Sequence, residues 1–390
     1  MKIQIIVVVV MISLTFSFKV GAQDKIRALE PLPIRRTVQN EPKLRQIPDP
    51  MDTLGQKIET LVKNVRAGHG SRIQYVTEPQ TEIQVGLLNP ERARGLQDKI
   101  VIVITGYEGS TPEYFDDGGL SGSYQRYTKP IYFVDANVDP KPPVETAYHL
   151  GMAIEKILST TGAAECVVVC HSKGGVDFRT LVTGKAKNRQ RTYDYRHSPL
   201  YEKIVGAVFL ATPHHGVGLL DRIEKITAQD DKDEEADLAE AYAENYSDHP
   251  ERYISNQAID DLFSQQDLYP EHLYMLNVVG QRYYSPVEMD ELWPLPSKKN
   301  GDERSWRNSV WYKLYQKLGY AQSDGLVLVT EASLDIADHQ VFIWLSHDQF
   351  FIPSSPVTVY ADEVFQKTKE RKASKPPKTR DYIPRKPRPK

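Results

Sequence analysis

The sequence predicts an α/β fold, a mostly parallel sheet with helices on both faces. Three runs, Ile100–Ile104, Cys166–Cys170 and Ile204–Leu210, are almost entirely apolar and rich in β-branched residues, which is typical of strands buried on both faces. Apolar residues at helical spacing within 147–158 and 176–182 place helices beside the second of these strands. Strands that alternate with helices in this way favour a parallel sheet, whose active site lies at the carboxyl ends of its strands.

The remaining elements follow from the same criteria. Apolar residues at helical spacing predict a helix over Thr53–Val65, and two short strands are predicted at Arg72–Val76 and Glu82–Leu87. Another strand is predicted at Pro130–Val134, after the glycine-rich turn Thr105–Ser110 that ends the first buried run.

Composition along the chain predicts how it is organised. Residues 1–22 combine a basic start, a short apolar run and small residues near the end, as in a secretory signal peptide; an N-terminal anchor helix is the alternative. We therefore expect a secreted or periplasmic protein. Residues 23–95 are interpreted as an N-terminal extension, 96–365 as the main domain with a lid-like insertion at about 219–272, and 366–390 as a disordered tail rich in proline.

Charge is unevenly distributed. Lys367–Lys390 carries 11 basic and two acidic residues, so this tail has a net charge of +9 while the whole chain has −3. The tail is expected to be solvated or to contact an anionic surface. Because the body is acidic and has no nucleic-acid-binding module, nucleic acid is not an expected partner. The acidic run Asp230–Glu244 is interpreted as a solvated helical face, with a mobile lid as the alternative. Cys166 and Cys170 lie too far apart along one strand to form a disulfide.

Ser172 is the predicted nucleophile. The segment Cys170-His-Ser-Lys-Gly-Gly175 lies between a buried strand and a helix. A sharp turn there exposes the serine hydroxyl, and the small residues after it prevent a backbone clash. The helix that follows aims N–H groups at developing negative charge. Cys170 departs from the Gly-x-Ser-x-Gly pattern at its first position.

Two motifs carry a family resemblance. Cys170–Arg179 resembles the His-Ser-x-Gly-Gly-x-x-x-Arg segment of bacterial triacylglycerol lipases, and Ala211–Gly216 is similar to their Thr-Pro-His-x-Gly segment. The resemblance covers roughly residues 97–350. It implies an α/β-hydrolase fold, activity on carboxylic esters, and a lid insertion after Gly216.

A serine nucleophile needs a base and a carboxylate that orients it, and in α/β-hydrolases the chain order is Ser, Asp or Glu, then His. Ser323–Val327 resembles the segment that carries the catalytic aspartate of those lipases, which makes Asp324 the predicted acid. His347, 23 residues later, is the predicted base. His339 is the rival base, with Asp335 or Asp338 as rival acids.

The other histidines near these motifs receive different interpretations. His214 and His215 precede any candidate acid, so they are expected to shape the wall near the site. His171 is expected to be a hydrogen-bonded part of the nucleophile turn.

The oxyanion hole is expected to use two backbone N–H groups. One belongs to Lys173, directly after the nucleophile, and the other to Tyr107, in the turn after Ile104. The related lipases have His-Gly in this turn, where this chain has Thr105-Gly106. This difference in side chains leaves the backbone N–H of Tyr107 available as a donor.

The predicted function is a secreted lipase or carboxylesterase acting on an ester or lipid substrate. The alternatives are a complex-lipid deacylase resembling inositol deacylases, and a catalytically inactive hydrolase-fold binding protein. No cofactor is expected. A structural calcium ion is disfavoured, because the aspartate that holds it two residues after the histidine in related lipases is Gln349 here, with Asp348 one residue earlier. The sequence leaves the oligomeric state open.

Overall fold

The protein is described from a computed structural model. The described residues all belong to one compact unit that spans Pro48–Lys390. They are 50–66, 73–78, 83–88, 98–107, 127–136, 141–187, 192, 194–218, 253–263, 267–281, 323–324, 326–345, 347, 350 and 357–373.

The centre of the fold is an eight-stranded sheet with the order β1-β2-β4-β3-β5-β6-β7-β8. β2 pairs antiparallel with β1 and β4, while the strands from β4 to β8 are parallel. The strands are β1 (Ile73–Glu78), β2 (Ile83–Leu88), β3 (Lys99–Ile104), β4 (Ile131–Asp135), β5 (Glu165–His171), β6 (Ile204–Leu210), β7 (Tyr274–Gly280) and β8 (His339–Ile343).

The described helices cover both faces of this sheet. They are α1 (Pro50–Arg66), α2 (Pro143–Thr161), α3 (Lys173–Val182), α4 (Asn256–Leu262), α5 (Val329–Ala332) and α6 (Val357–Ala373). Leu54 of α1, Ile154 of α2 and Phe178 of α3 belong to the core on one face. Ala361 and Val364 of α6 belong to the core on the other. β3, β5 and β6 are buried from both sides, which explains their uninterrupted apolar sequences.

The predicted α/β fold is confirmed, with a strand–turn–helix unit at the centre of a mostly parallel sheet. The fold is that of an α/β-hydrolase. Two predicted boundaries need correction. The extension ends well before residue 95, because β2 is hydrogen-bonded to β4 within the main sheet. The disordered tail predicted from residue 366 does not include residues 366–373, because they belong to α6, a helix whose Phe365 and Thr368 are buried against the sheet.

The predicted insertion at 219–272 is only partly described. Its last part includes α4, and Ile259 and Phe263 enter the core, so the described residues 253–263 belong to the body of the domain. Residues 219–252, the predicted signal peptide and the segment after 373 lie outside the described residues. Within the part of the chain that is described, no helix is both long and apolar enough to cross a bilayer.

Candidate active site

The turn between β5 and α3 presents Ser172. Its backbone has φ 50° and ψ −129°, which non-glycine residues rarely adopt. Such strain costs on the order of 1–3 kcal/mol and is maintained only where the surroundings enforce it. Here the Ser172 amide donates to the Leu210 carbonyl of β6 at 2.9 Å, and the Ser172 carbonyl accepts from Gly175 at 3.0 Å.

Close packing explains the two glycines that follow. A Cβ atom on Gly174 would lie 2.3 Å from the Thr105 carbonyl oxygen, and one on Gly175 would lie 2.0 Å from Thr212 Oγ1. Both distances are impossible for a side chain. The start of α3 therefore packs directly against the segments that follow β3 and β6, and this contact places Ser172 at the carboxyl edge of the sheet.

His347 and Asp324 complete a continuous hydrogen-bonded chain. His347 Nε2 lies 2.8 Å from Ser172 Oγ, and its Nδ1 lies 2.8 Å from Asp324 Oδ2. A carboxylate can only accept, so Nδ1 carries the proton and donates it to Asp324. Nε2 is left as the acceptor for the Ser172 hydroxyl. This is the arrangement and tautomer that a general base requires.

The predicted acid, Asp324, is fixed by the backbone around it. Asp324 is buried, and its Oδ1 accepts hydrogen bonds from the amides of Leu326 at 3.0 Å and Val327 at 2.8 Å. Its carbonyl accepts from the amide of His347 at 2.9 Å. One carboxylate oxygen is thus held by the turn, and the other is directed at the imidazole.

The rival residues lie elsewhere. His339 is exposed at the start of β8. Asp338 accepts a hydrogen bond from the Met275 amide at 2.8 Å, at the amino end of β7. Asp335 lies on an exposed turn. Because these residues are at the opposite end of the strands from Ser172, the structure brings together Ser172, Asp324 and His347 instead.

The two expected oxyanion donors flank the nucleophile. Lys173 is the first residue of α3, where the amides have no carbonyl acceptor within the helix. A Cβ atom on Gly106 would lie 3.0 Å from the Cβ of Ser172, so the turn that carries Tyr107 runs beside the serine. The oxyanion role of the Tyr107 and Lys173 amides stays a prediction.

The Lys173 side chain points away from this site into the protein. Its ammonium group is fully buried and lies 2.9 and 3.0 Å from the two carboxylate oxygens of Asp177, one turn later in α3. Thr146 Oγ1 of α2 accepts a further hydrogen bond at 3.3 Å. Burial lowers the pKa of Lys173, while Asp177 opposes that shift. The pair fastens the first turn of α3 to α2.

His214 belongs to the core, and its expected role as wall of the site is wrong. It is fully buried, with its Nε2 3.2 Å from Asn277 Oδ1 and its Nδ1 3.3 Å from Arg179. Arg179 also donates to the His214 carbonyl at 2.7 Å and stacks over Phe263 at 3.9 Å. Burial and the Arg179 charge hold the pKa of His214 well below its usual value. This network of a neutral histidine, Asn277 and the Arg179 cation joins α3, β6 and β7 beneath the site.

Two supporting residues were missed by the sequence analysis. Gly280 ends β7, and a Cβ atom there would lie 2.6 Å from the Cβ of Asp324. Glu331 is buried, and its carboxylate accepts from the amides of Gly218 at 2.9 Å and Leu328 at 3.0 Å. The glycine after Val278-Val279 was a usable signal, because a glycine that ends a buried strand marks a close backbone approach. Glu331 had no comparable signal.

A metal site is not evident in the described part of the chain, where no group of three or more His, Cys, Asp or Glu side chains could hold an ion. Asp348 and Gln349, on which the expectation about calcium depends, lie outside the described residues. Both cysteines are free and buried, and burial raises the pKa of the Cys170 thiol.

Comparison with known proteins gives distant structural similarity. No protein-family model matches the sequence, and no curated protein sequence matches it. The Bacillus licheniformis lipase BlEst2 in mature form is similar with a TM-score of 0.47 and 15% identity, over 69% of this chain and 92% of that one. A hyperthermophilic esterase from Pyrobaculum calidifontis is similar with a TM-score of 0.40 and 15% identity, over 81% and 93% of the two chains.

A third similar structure is a proline iminopeptidase from Mycobacterium smegmatis, with a TM-score of 0.37 and 14% identity over 76% of this chain and 99% of that one. Similarity at this level does not determine a reaction. The sheet order and the strand–turn–helix unit at Ser172 identify the fold on their own.

Proposed function

We propose that this protein is a serine hydrolase that cleaves carboxylic ester bonds through an acyl-enzyme intermediate. The observation that carries the proposal is the hydrogen-bonded chain from Ser172 through His347 to Asp324, with both links at 2.8 Å. A strained serine at a strand-to-helix turn, a histidine of the correct tautomer and a buried carboxylate are together the requirements for activating a hydroxyl group.

The chemistry follows from this geometry. His347 Nε2 takes the proton of Ser172 as the oxygen attacks the ester carbonyl, and Asp324 stabilises the resulting imidazolium. The amides of Lys173 and Tyr107 donate to the oxyanion. His347 then gives the proton to the leaving alcohol, which leaves an acyl group on Ser172. Water, activated by His347, hydrolyses that ester and restores the enzyme.

An inactive hydrolase-fold binding protein is the main competing interpretation. The sequence argument for it is that Cys170 and Thr105 depart from the lipase pattern. In the structure, Cys170 is fully buried in β5 and its backbone pairs in register with Phe209. The larger residue is therefore accommodated beneath the turn, and the triad geometry is retained.

The test compares the wild-type protein with Ser172→Ala on p-nitrophenyl esters of increasing acyl length, together with labelling by a fluorophosphonate probe. We expect hydrolysis and labelling in the wild type and neither in the variant. Ser159→Ala is the matched control, because Ser159 is exposed and bonds only the local Lys156 carbonyl at 3.1 Å among the described contacts. It should behave as the wild type.

The outcomes separate the alternatives. If the wild type is unlabelled and inert on every ester, the hydrolase proposal is wrong and the binding protein takes its place. If it is labelled by the probe but releases acyl chains only from an inositol-containing lipid, the complex-lipid deacylase is correct. The acyl-length optimum on simple esters distinguishes a lipase from a carboxylesterase.

Export is a separate proposal that rests on residues 1–22. Expression of the full chain with its own N-terminus, followed by N-terminal sequencing of the exported protein, should give a mature chain that begins at Gln23. Retention of Met1 on a membrane-bound protein would favour the anchor helix instead.

A further inference from the structure

We propose that His171 is a positioning residue, which ties the loop of the catalytic base to the end of β5 by donating a hydrogen bond to the main-chain carbonyl of His347. The inference deepens the proposed function and rests on His347 being the base. His171 precedes the nucleophile, yet its imidazole is directed toward a residue 176 positions later in the chain.

The hydrogen bond has a defined direction. His171 Nε2 lies 2.8 Å from the His347 carbonyl oxygen. A carbonyl can only accept, so Nε2 carries a proton and donates it. The side chain is 6% exposed. Burial first, and the neighbouring His347 second, lower the pKa of His171 to about 3, while the bond to the carbonyl opposes the shift. His171 is therefore the neutral Nε2–H tautomer at physiological pH.

This bond completes the fixation of the base. The His347 amide donates to the Asp324 carbonyl at 2.9 Å, and the His347 carbonyl accepts from His171. Both main-chain groups of His347 are thus held, one by the acid and one by the strand of the nucleophile. Because an error of about 1 Å in the position of a catalytic group can cost about 100-fold in rate, this tie has a kinetic consequence.

The neutrality of His171 also matters. The rings of His171 and His347 have centroids 4.9 Å apart. In the proposed mechanism His347 becomes a cation, and a second cation at this distance would oppose its protonation. A neutral donor holds the loop without that penalty.

The opposite side of the ring faces the oxyanion turn. A Cβ atom on Gly106 would lie 3.0 Å from His171 Nδ1. His171 thus lies between the turn that carries Tyr107 and the loop that carries His347. The His171 imidazole fills the space between these two segments. This explains why an imidazole rather than a small residue precedes Ser172.

The experiment compares His171→Gln with His171→Met. A glutamine side chain places an N–H donor near the position of the imidazole Nε2, whereas methionine is of similar length and cannot donate. We expect Met to lower kcat on a short p-nitrophenyl ester by about 10- to 100-fold with KM within about twofold. Gln should keep kcat within about fivefold of the wild type. His197→Met is the matched control, because the His197 side chain is 85% exposed, and it should leave both constants unchanged.

A second measurement uses the wild type and does not depend on the variants folding. Selective ¹⁵N-histidine NMR should show His171 as a neutral Nε2–H tautomer at pH 5 and above. The far-downfield proton of His347 Nδ1 should persist in the Gln variant and be lost or broadened in a folded Met variant.

Three results would overturn the inference: an Nδ1–H tautomer at His171, a Met variant with wild-type kcat, or equal losses in Gln and Met. If the wild type hydrolyses no ester and reacts with no fluorophosphonate, the proposed function fails by itself. The tautomer and the His347 resonance then still decide whether His171 holds the loop.

Discussion

The nucleophile side and the acid–base side of the site are held in different ways. Ser172 belongs to one continuous strand–turn–helix unit, and its strained backbone is enforced by the packing of Gly174 and Gly175 on neighbouring segments. Asp324 and His347 follow β7 and β8 and are held through hydrogen bonds from side chain to backbone and backbone to backbone. Close packing, together with the two backbone hydrogen bonds of Ser172, therefore determines the first side, and directional bonds dominate on the second.

The difference predicts how each side fails. A change on the acid–base side should alter the direction of a bond and reduce activity while the fold persists. A change beneath the nucleophile should create a clash in the core and reduce stability. Four variants test this contrast.

Asp324→Asn should have the largest effect, a loss of about 10⁴-fold in kcat. The amides of Leu326 and Val327 need an acceptor, so the asparagine oxygen will face them and its NH₂ group will face His347. His347 must then accept at Nδ1 and carry its proton on Nε2, where it cannot receive the proton of Ser172. The measurement is kcat on a short ester, with the exposed Asp335→Asn as control. A loss below tenfold would contradict the assigned acid.

Gly280→Ala should reduce activity more than stability. Its Cβ would lie 2.6 Å from the Cβ of Asp324 and 2.9 Å from the Leu345 carbonyl oxygen, so the acid and the segment that leads to His347 must shift. We expect kcat to fall about 10- to 100-fold, as for a misplacement of about 1 Å. Kinetics and urea unfolding on the same samples check this. A loss of stability with unchanged kcat would show that other residues move to accommodate the new Cβ, and that Asp324 and His347 keep their positions.

Gly175→Ala should reduce stability more than activity. The new Cβ would meet Thr212 Oγ1 at 2.0 Å in the core, and overpacking of this kind costs about 1–3 kcal/mol of unfolding free energy. Thr212→Ala removes the two nearest atoms, so the double variant should recover part of that loss. Chemical denaturation of the four proteins gives the coupling energy. Additive effects would mean that α3 moves as a unit instead of pressing on Thr212.

At neutral pH His171→Gln should have the smallest effect, because it acts on the pH dependence of stability below that pH. The pKa of His171 is about 3 in the folded protein, against about 6.5 when unfolded. Below pH 6.5 the unfolded chain binds a proton that the folded chain does not, so stability falls as pH decreases. Removing this histidine should reduce the slope by up to about 1.4 kcal/mol per pH unit between pH 6 and 4. His197→Gln, at an exposed site, should not change it; equal slopes in all three proteins would mean that His171 titrates normally.

Local sequence determined most of the nucleophile side. Strands β3, β5 and β6 were predicted to within about one residue, because burial on both faces leaves an uninterrupted apolar run. The Ser172 turn was evident because its strand, small residues and helix are contiguous. Asp324 and His347 were predicted only through chain order and a family resemblance, and the structure brings them to Ser172.

Other elements and contacts could not be recognised from the sequence alone. The strand β7 and the helix α6 were not predicted. The basic residues of α6 resemble those of the tail that follows, and its buried face can be recognised only from its contacts with the sheet. His214 was expected at the wall of the site because it precedes any candidate acid, yet it lies in the core, where it contacts Arg179 and Asn277.

The sequence by itself therefore determined which residue types could carry the chemistry and where the chain buries its strands, since both depend on neighbours along the chain. Only the tertiary structure decided which histidine lies against Ser172 Oγ, which one contacts the main chain of His347 and which lies in the core. Those roles depend on single hydrogen bonds between residues as many as 176 positions apart, and the direction of such a bond is set by the packing of the whole sheet.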